Sequence, residues 1–173
     1  ELDPALPEAY TTLALIAMNY EWAWEDADRL YRRAIELNEY YATAHAWHGE
    51  YLAFMGQFDE ALAELRRGQE LDPLSSVIAV NVTRVYQLQG RHDEAVQNAL
   101  RIIELDPNFG PAYEYLALSY VRLGRNAEAV AAERRDCGNA EAAQTRGERN
   151  RHGFRGAGEH VPKLERDPRK AGG

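Results

Sequence analysis

The sequence predicts an all-α chain, a solenoid of about four stacked helical hairpins. Two observations carry this. The phrase GQFDEALAELRRGQELDP, from Gly56 to Pro73, returns 34 residues later as GRHDEAVQNALRIIELDP, from Gly90 to Pro107, and a partial copy, GRNAEAVAA, starts at Gly124. Around and within these copies, apolar residues recur at helical spacing. A fixed period of this size marks an array of stacked units rather than one globular core.

The elements follow in order. Residues 7–20 place Tyr10, Leu13, Ala14 and Ala17 on one helical face, with Pro7 suited to the first turn. A linker, Glu21-Trp22-Ala23-Trp24, leads to a helix over 25–37, whose Ala27, Leu30, Tyr31, Ala34 and Leu37 share a face. The second hairpin pairs 41–55 with 58–71, the third 76–89 with 92–105, and the fourth 111–123 with 126 to about 135. Gly56, Gly90 and Gly124 each sit just past a helix, where a left-handed cap is cheap only for glycine. Asp72-Pro73 and Asp106-Pro107 stop the second helices, because proline cannot continue the hydrogen-bond ladder. Asp59-Glu60 and Asp93-Glu94 lie in first turns, where the helix dipole favours negative charge.

Small residues recur where helices must approach: Ala14 with Ala27 and Ala34, Gly49 with Ala61 and Gly68, Thr83 with Ala95. Leu2 to Leu37 is 35 residues, whereas Leu37 to Leu71 and Leu71 to Leu105 are both 34. The extra residue is assigned to the Trp22-Ala23-Trp24 linker. Trp22 and Trp24 are expected to clamp that linker, with an exposed aromatic docking spot as the alternative. One 34-residue hairpin buries too little surface to stand alone, so the hairpins must stack.

The helix pair with an aromatic, Leu, a small residue, Tyr, then Gly and Ala resembles the tetratricopeptide repeat, most plainly in Tyr113, Leu116, Ala117, Tyr120, Gly124 and Ala129. The second repeat keeps Gly49, Gly56, Ala61 and Pro73 but has His45 and His48 where an aromatic and Leu are usual. The third has Ala79, Thr83 and Ile102 at the aromatic, small and Ala positions, so its packing should be looser or shifted. The resemblance implies a right-handed array over 1–136, in repeats of about 7–39, 41–73, 75–107 and 109–136. The run from Asn19 to Leu62 is similar to arrays of bacterial multidomain regulators, which follow winged-helix, cyclase or Ser/Thr-kinase domains. Glu1-Leu2-Asp3-Pro4 matches the tail of the repeated phrase, which implies a fragment entering mid-array.

The resemblance also implies a site. In such arrays the first helix of each pair lines a concave groove that binds a protein or peptide. The matching positions here are Glu8, Thr11, Leu15, Met18 and Asn19; Thr43, Ala46, Glu50 and Phe54; Val77, Val80, Asn81, Arg84, Gln87 and Leu88; and Glu114, Leu118 and Arg122. Helical geometry independently groups Val77, Val80, Asn81 and Arg84 on one face. Related repeats that hold a C-terminal carboxylate use Lys and Asn at set positions. The corresponding slots here offer Thr11, Leu15, Ala46 and Glu50, with Arg84 and Arg122 the groove's cations, so a two-carboxylate clamp is not expected. A mixed groove suits a peptide with apolar anchors.

Other chemistries are weaker. His45 and His48, at i and i+3, have the spacing of a metal pair, with His92 or Glu50 as a third ligand, but both match core or near-core repeat positions, so no metal and no cofactor is expected. Gly153, Gly156 and Gly158 follow no strand and precede no Lys-Ser/Thr, so they make no phosphate loop. No nucleophile–base arrangement is visible, and the chain is read as a non-enzyme. Self-association through a last repeat without a polar cap, around Leu116, Tyr120 and Val130, is the competing function.

Charge and composition narrow the partners. Residues 1–132 carry 10 arginines, no lysine and 21 acids, a net −11, which disfavours nucleic acid on the repeats. Residues 133–173 carry a net +3, and 137–173 read as a largely disordered Arg/Gly/Ala-rich tail, or as out-of-frame translation, since the repeat pattern stops mid-helix. Cys137 is the sole cysteine, which fits a reducing, cytoplasmic setting, and no stretch approaches the roughly 20 apolar residues of a membrane helix.

Overall fold

The computed structural model describes residues 6–135. They form eight α-helices, with no strand among them. These are α1 (Pro7–Ile16), α2 (Trp24–Leu37), α3 (Ala42–Phe54), α4 (Phe58–Leu71), α5 (Ser76–Leu88), α6 (His92–Leu105), α7 (Gly110–Arg122) and α8 (126–135). The tail expected to be disordered, Cys137 and the glycines after it all fall outside the described residues.

Consecutive helices pair as hairpins, and the hairpins stack on one another. The reason lies in the residues at each crossing. Ala14, Ala27, Ala34, Ala61, Ala95 and Ala99 are fully buried, so neighbouring backbones meet over methyl groups. Tyr31 and Leu65, at 1% and 0% exposure, fill the space between them. Second helices start with paired acids, Glu25-Asp26, Asp59-Glu60 and Asp93-Glu94, as the dipole favours.

The first helices contact one another along the stack, α1 with α3, α3 with α5 and α5 with α7; α2, α4 and α6 make no comparable contacts among themselves. First helices therefore line the inner side of the array.

The extra residue of the first repeat is not in the linker. It is taken up inside the first helix, which leaves α geometry at Ile16 and runs as a π turn over Ala17–Glu21. One inserted residue in a helix is accommodated in this way, by hydrogen bonds that reach one residue further. The 34-residue register is already restored at Trp22, which takes the place of Gly56, Gly90 and Gly124. Those glycines have φ of 76°, 72° and 74°, and Trp22, with φ 56°, is the one non-glycine residue at positive φ among those described. A bulky side chain in this conformation costs about 1–2 kcal/mol. The Trp22 ring is 69% exposed and meets Trp24 edge-on, with ring centroids 5.7 Å apart, so it recovers little by burial. Trp22→Gly is accordingly expected to stabilise the fold by about 1 kcal/mol. Urea unfolding monitored by circular dichroism measures this; an unchanged or lower midpoint would show that the Trp24 contact outweighs the strain.

The third repeat, expected to be looser or shifted, carries polar contacts and a cleft at its substituted positions. Thr83 is buried, and Asn98 crosses from α6 to donate to the Ala79 carbonyl (2.9 Å) and to Thr83 Oγ1 (2.8 Å). Beside Ala79 an open cleft remains.

Candidate partner-binding face

The residues expected to line the groove separate into three groups. Glu8, Asn19, Phe54, Val77, Leu88, Glu114, Leu118 and Arg122 are exposed, and Leu15, Thr43, Glu50, Arg84 and Gln87 are half-buried. Thr11, Met18, Ala46, Val80 and Asn81 are buried, contrary to the expectation that they face a partner. Thr11 spends its hydroxyl on the Pro7 and Glu8 carbonyls, at 2.8 and 3.0 Å. The π turn shifts the register by one, so Tyr20, 79% exposed, is the counterpart of Phe54, Leu88 and Arg122, the position expected for Asn19.

Four of the expected residues come together at the centre. Arg84 on α5 donates through Nη1 to the Glu50 carboxylate on α3 and through Nε to the Tyr115 hydroxyl on α7 at 2.7 Å. Its guanidinium also lies over the Phe54 and Tyr115 rings, 5.7 and 5.8 Å from their centroids. One turn on, Gln87 Nε2 donates to the Tyr115 carbonyl and to Ser119 Oγ, both at 2.7 Å. One cation thus joins three successive first helices, with a planar fork suited to several acceptors at once. Around it, Phe54, Val77 and Leu118 expose apolar surface at 53%, 54% and 45%.

Tyr115 and Ser119 are absent from the sequence-derived set. The 34-residue period was the available signal, since it puts Tyr115 in register with Asn81, three residues before Leu118, the counterpart of Arg84. Arg84 is committed to Glu50, so of the two groove cations Arg122 is the exposed one.

His45 and His48 are core groups. His45 Nδ1 meets Glu64 Oε2 at 2.7 Å and its Nε2 meets the Glu39 carbonyl at 3.0 Å. Both partners are acceptors, so the imidazolium, in which both ring nitrogens donate, is the form that satisfies them. The Glu64 hydrogen bond, working against burial, raises the pKa of His45. Burial alone would lift the Glu64 carboxyl; the hydrogen bond from His45 and the nearness of His48 outweigh it and hold the group at about 2. His48 Nε2 bonds Asp28 Oδ1 at 3.0 Å, which ties α3 to α2. No cluster of three or more His, Cys, Asp or Glu suited to a metal occurs among the described residues.

Residues 25–135 match the family model of the bacterial transcriptional activator domain, which spans α2 to α8. The chain belongs to the bacterial transcriptional activator domain family. Its tetratricopeptide character is equally plain. It is 35% identical over 82 residues to the TPR repeat-containing thioredoxin TTL4 of Arabidopsis thaliana, a match covering 47% of this chain and 12% of that protein. It is 33% identical over 75 residues to the small glutamine-rich tetratricopeptide repeat-containing protein 2 of Mycosarcoma maydis, covering 43% and 21%. The matched stretch is therefore less than a quarter of either relative's length. Among solved structures, a crystal structure of MamA superposes with a TM-score of 0.69 at 23% identity, over 83% of each chain, which is a likeness of fold. Within this activator domain, no described helix is long and apolar enough to cross a membrane.

Proposed function

We propose that this activator domain is a non-catalytic scaffold that holds a peptide or protein segment against its inner face. The observation that carries the reading is the set of exposed apolar side chains on successive first helices, Phe54, Val77 and Leu118, beside a centre already rigidified by Arg84, Glu50 and Tyr115. A preorganised face loses little freedom on binding, and aromatic and arginine side chains are the usual energetic centres. The occupant is a segment with apolar anchors. The net −11 of residues 1–132 favours such a segment over nucleic acid. The family match supports a place within a larger bacterial regulator of transcription or signalling.

Peptides selected on the intact chain from a displayed library supply the test. Phe54→Ala, at a side chain 53% exposed, is expected to weaken the selected peptides about tenfold while leaving the thermal midpoint in place. Peptides that bind wild type and Phe54→Ala alike would place the site elsewhere.

Self-association is the second reading. Leu116 and Tyr120, expected at the exposed end, are buried instead with Ala129 and Ala132 of α8, and Val130 alone of the three is exposed, at 52%. Leu100 and Leu105, at 41% and 68%, add exposed apolar surface on α6. Sedimentation at increasing concentration separates this reading from the first.

A further inference from the structure

Four positions are equivalent along the array: Tyr10 on α1, His45 on α3, Ala79 on α5 and Tyr113 on α7. Three of them carry rings. Two of those rings make the same hydrogen bond, to the carbonyl six residues earlier: His45 Nε2 to Glu39 O at 3.0 Å, and Tyr113 Oη to Pro107 O at 3.0 Å. The counterpart of Glu39 and Pro107 in the third repeat is Pro73, and there the ring is missing.

What stands in its place is an open cleft of about 310 Å³, lined by Pro73, Ser76, Ala79, Ile102 and Leu105 among others. That volume lies at the lower end of small-ligand sites. Leu105 reports the same vacancy. Its counterparts Leu37 and Leu71 are half-buried, whereas Leu105 is 68% exposed. An apolar wall, a backbone carbonyl and an exposed leucine border the space that lacks a ring.

We propose that this cleft is a binding site for a para-hydroxyphenyl group supplied from outside the repeat. The ring packs on Ile102 and Leu105, and its hydroxyl donates to the Pro73 carbonyl as Tyr113 donates to Pro107. The source is either a free phenol or the tyrosine of a partner segment; the chemistry recognised is the same. The site shares no residue with the inner face, so the two assignments stand or fall separately.

The test is a titration of the isotope-labelled chain with p-cresol, followed by NMR. Saturable shifts at Ala79, Leu105 and the Ile102 methyls, with a Kd on the order of 1 mM, are expected for so small a ligand. Toluene, which lacks the donor, should bind about fivefold more weakly. Ala79→Tyr should abolish the shifts by filling the cleft, and it should raise the thermal midpoint, which separates blockage from unfolding. Absence of shifts, equal binding of toluene, or shifts that persist in Ala79→Tyr would overturn the proposal. A capped Gly-Tyr-Gly peptide identifies the source: binding tighter than p-cresol supports a partner's tyrosine, and weaker binding supports a free phenol.

Discussion

Glu64→Leu is expected to lower the unfolding free energy by about 3 kcal/mol at pH 6, the usual result of removing one member of a buried ion pair. His45 has 7% side-chain exposure, and with Glu64 gone its Nδ1 loses its partner. It must then keep an unpaired charge, or release the Nδ1 proton and bury that nitrogen without a partner while Nε2–H still donates to the Glu39 carbonyl. The double variant His45→Tyr/Glu64→Leu should recover most of the loss, because a tyrosine at 45 can donate to the Glu39 carbonyl as Tyr113 does to Pro107. Urea titrations of the three proteins decide this; a double variant no better than Glu64→Leu would show that the ring slot is not equivalent between repeats.

The same pair sets a pH window. The folded pKa of Glu64, at about 2, lies below its ordinary 4.5, so its contribution is present above about pH 4.5 and is lost as pH falls toward 2. The folded pKa of His45 lies above its ordinary 6.5, so its contribution is full below pH 6.5 and is lost as pH rises through the folded value. This pair is therefore worth most between about pH 4.5 and 6.5, and a stability profile of wild type minus Glu64→Leu should peak there. A difference that stays flat up to pH 9 would remove the imidazolium from the account.

Gly49→Val is the second large effect, expected to cost about 3 kcal/mol. A Cβ at Gly49 would stand 2.8 Å from Leu65 Cγ and 3.0 Å from the Ala61 carbonyl oxygen. Leu65 is fully buried and the carbonyl belongs to α4, so neither can move aside without opening the second hairpin. A thermal midpoint within a few degrees of wild type would mean that α3 and α4 slide apart at little cost.

Much of this was legible in the residues, and the exceptions have physical causes. The glycine at 56, 90 and 124 announces its left-handed turn because few other residues tolerate it, and the bounds of α4 and α6 follow from those turns and from Asp-Pro. The extra residue was misplaced because the anchors Leu2 and Leu37 only bracket an insertion. Which residue between them absorbs it depends on how the helix packs, and periodicity carries no record of that. The burial of Ala46, Val80 and Asn81 was missed for a related reason. Register names the position along a helix, but the closeness of neighbouring first helices decides whether that position is covered. The pairing of the groove cation Arg84 was not legible because its partners, Glu50 and Tyr115, lie 34 and 31 residues away on other units.

The π turn at Ala17–Glu21 also bears on how such an array tolerates change in length. In a crystal, an extra half-plane of atoms produces a dislocation that shifts the rows beyond it. Here the defect is confined to a single cell, and the lattice of repeats resumes at Trp22 with its translation intact. The molecule heals an insertion locally, at the end of a first helix, and spares every contact downstream.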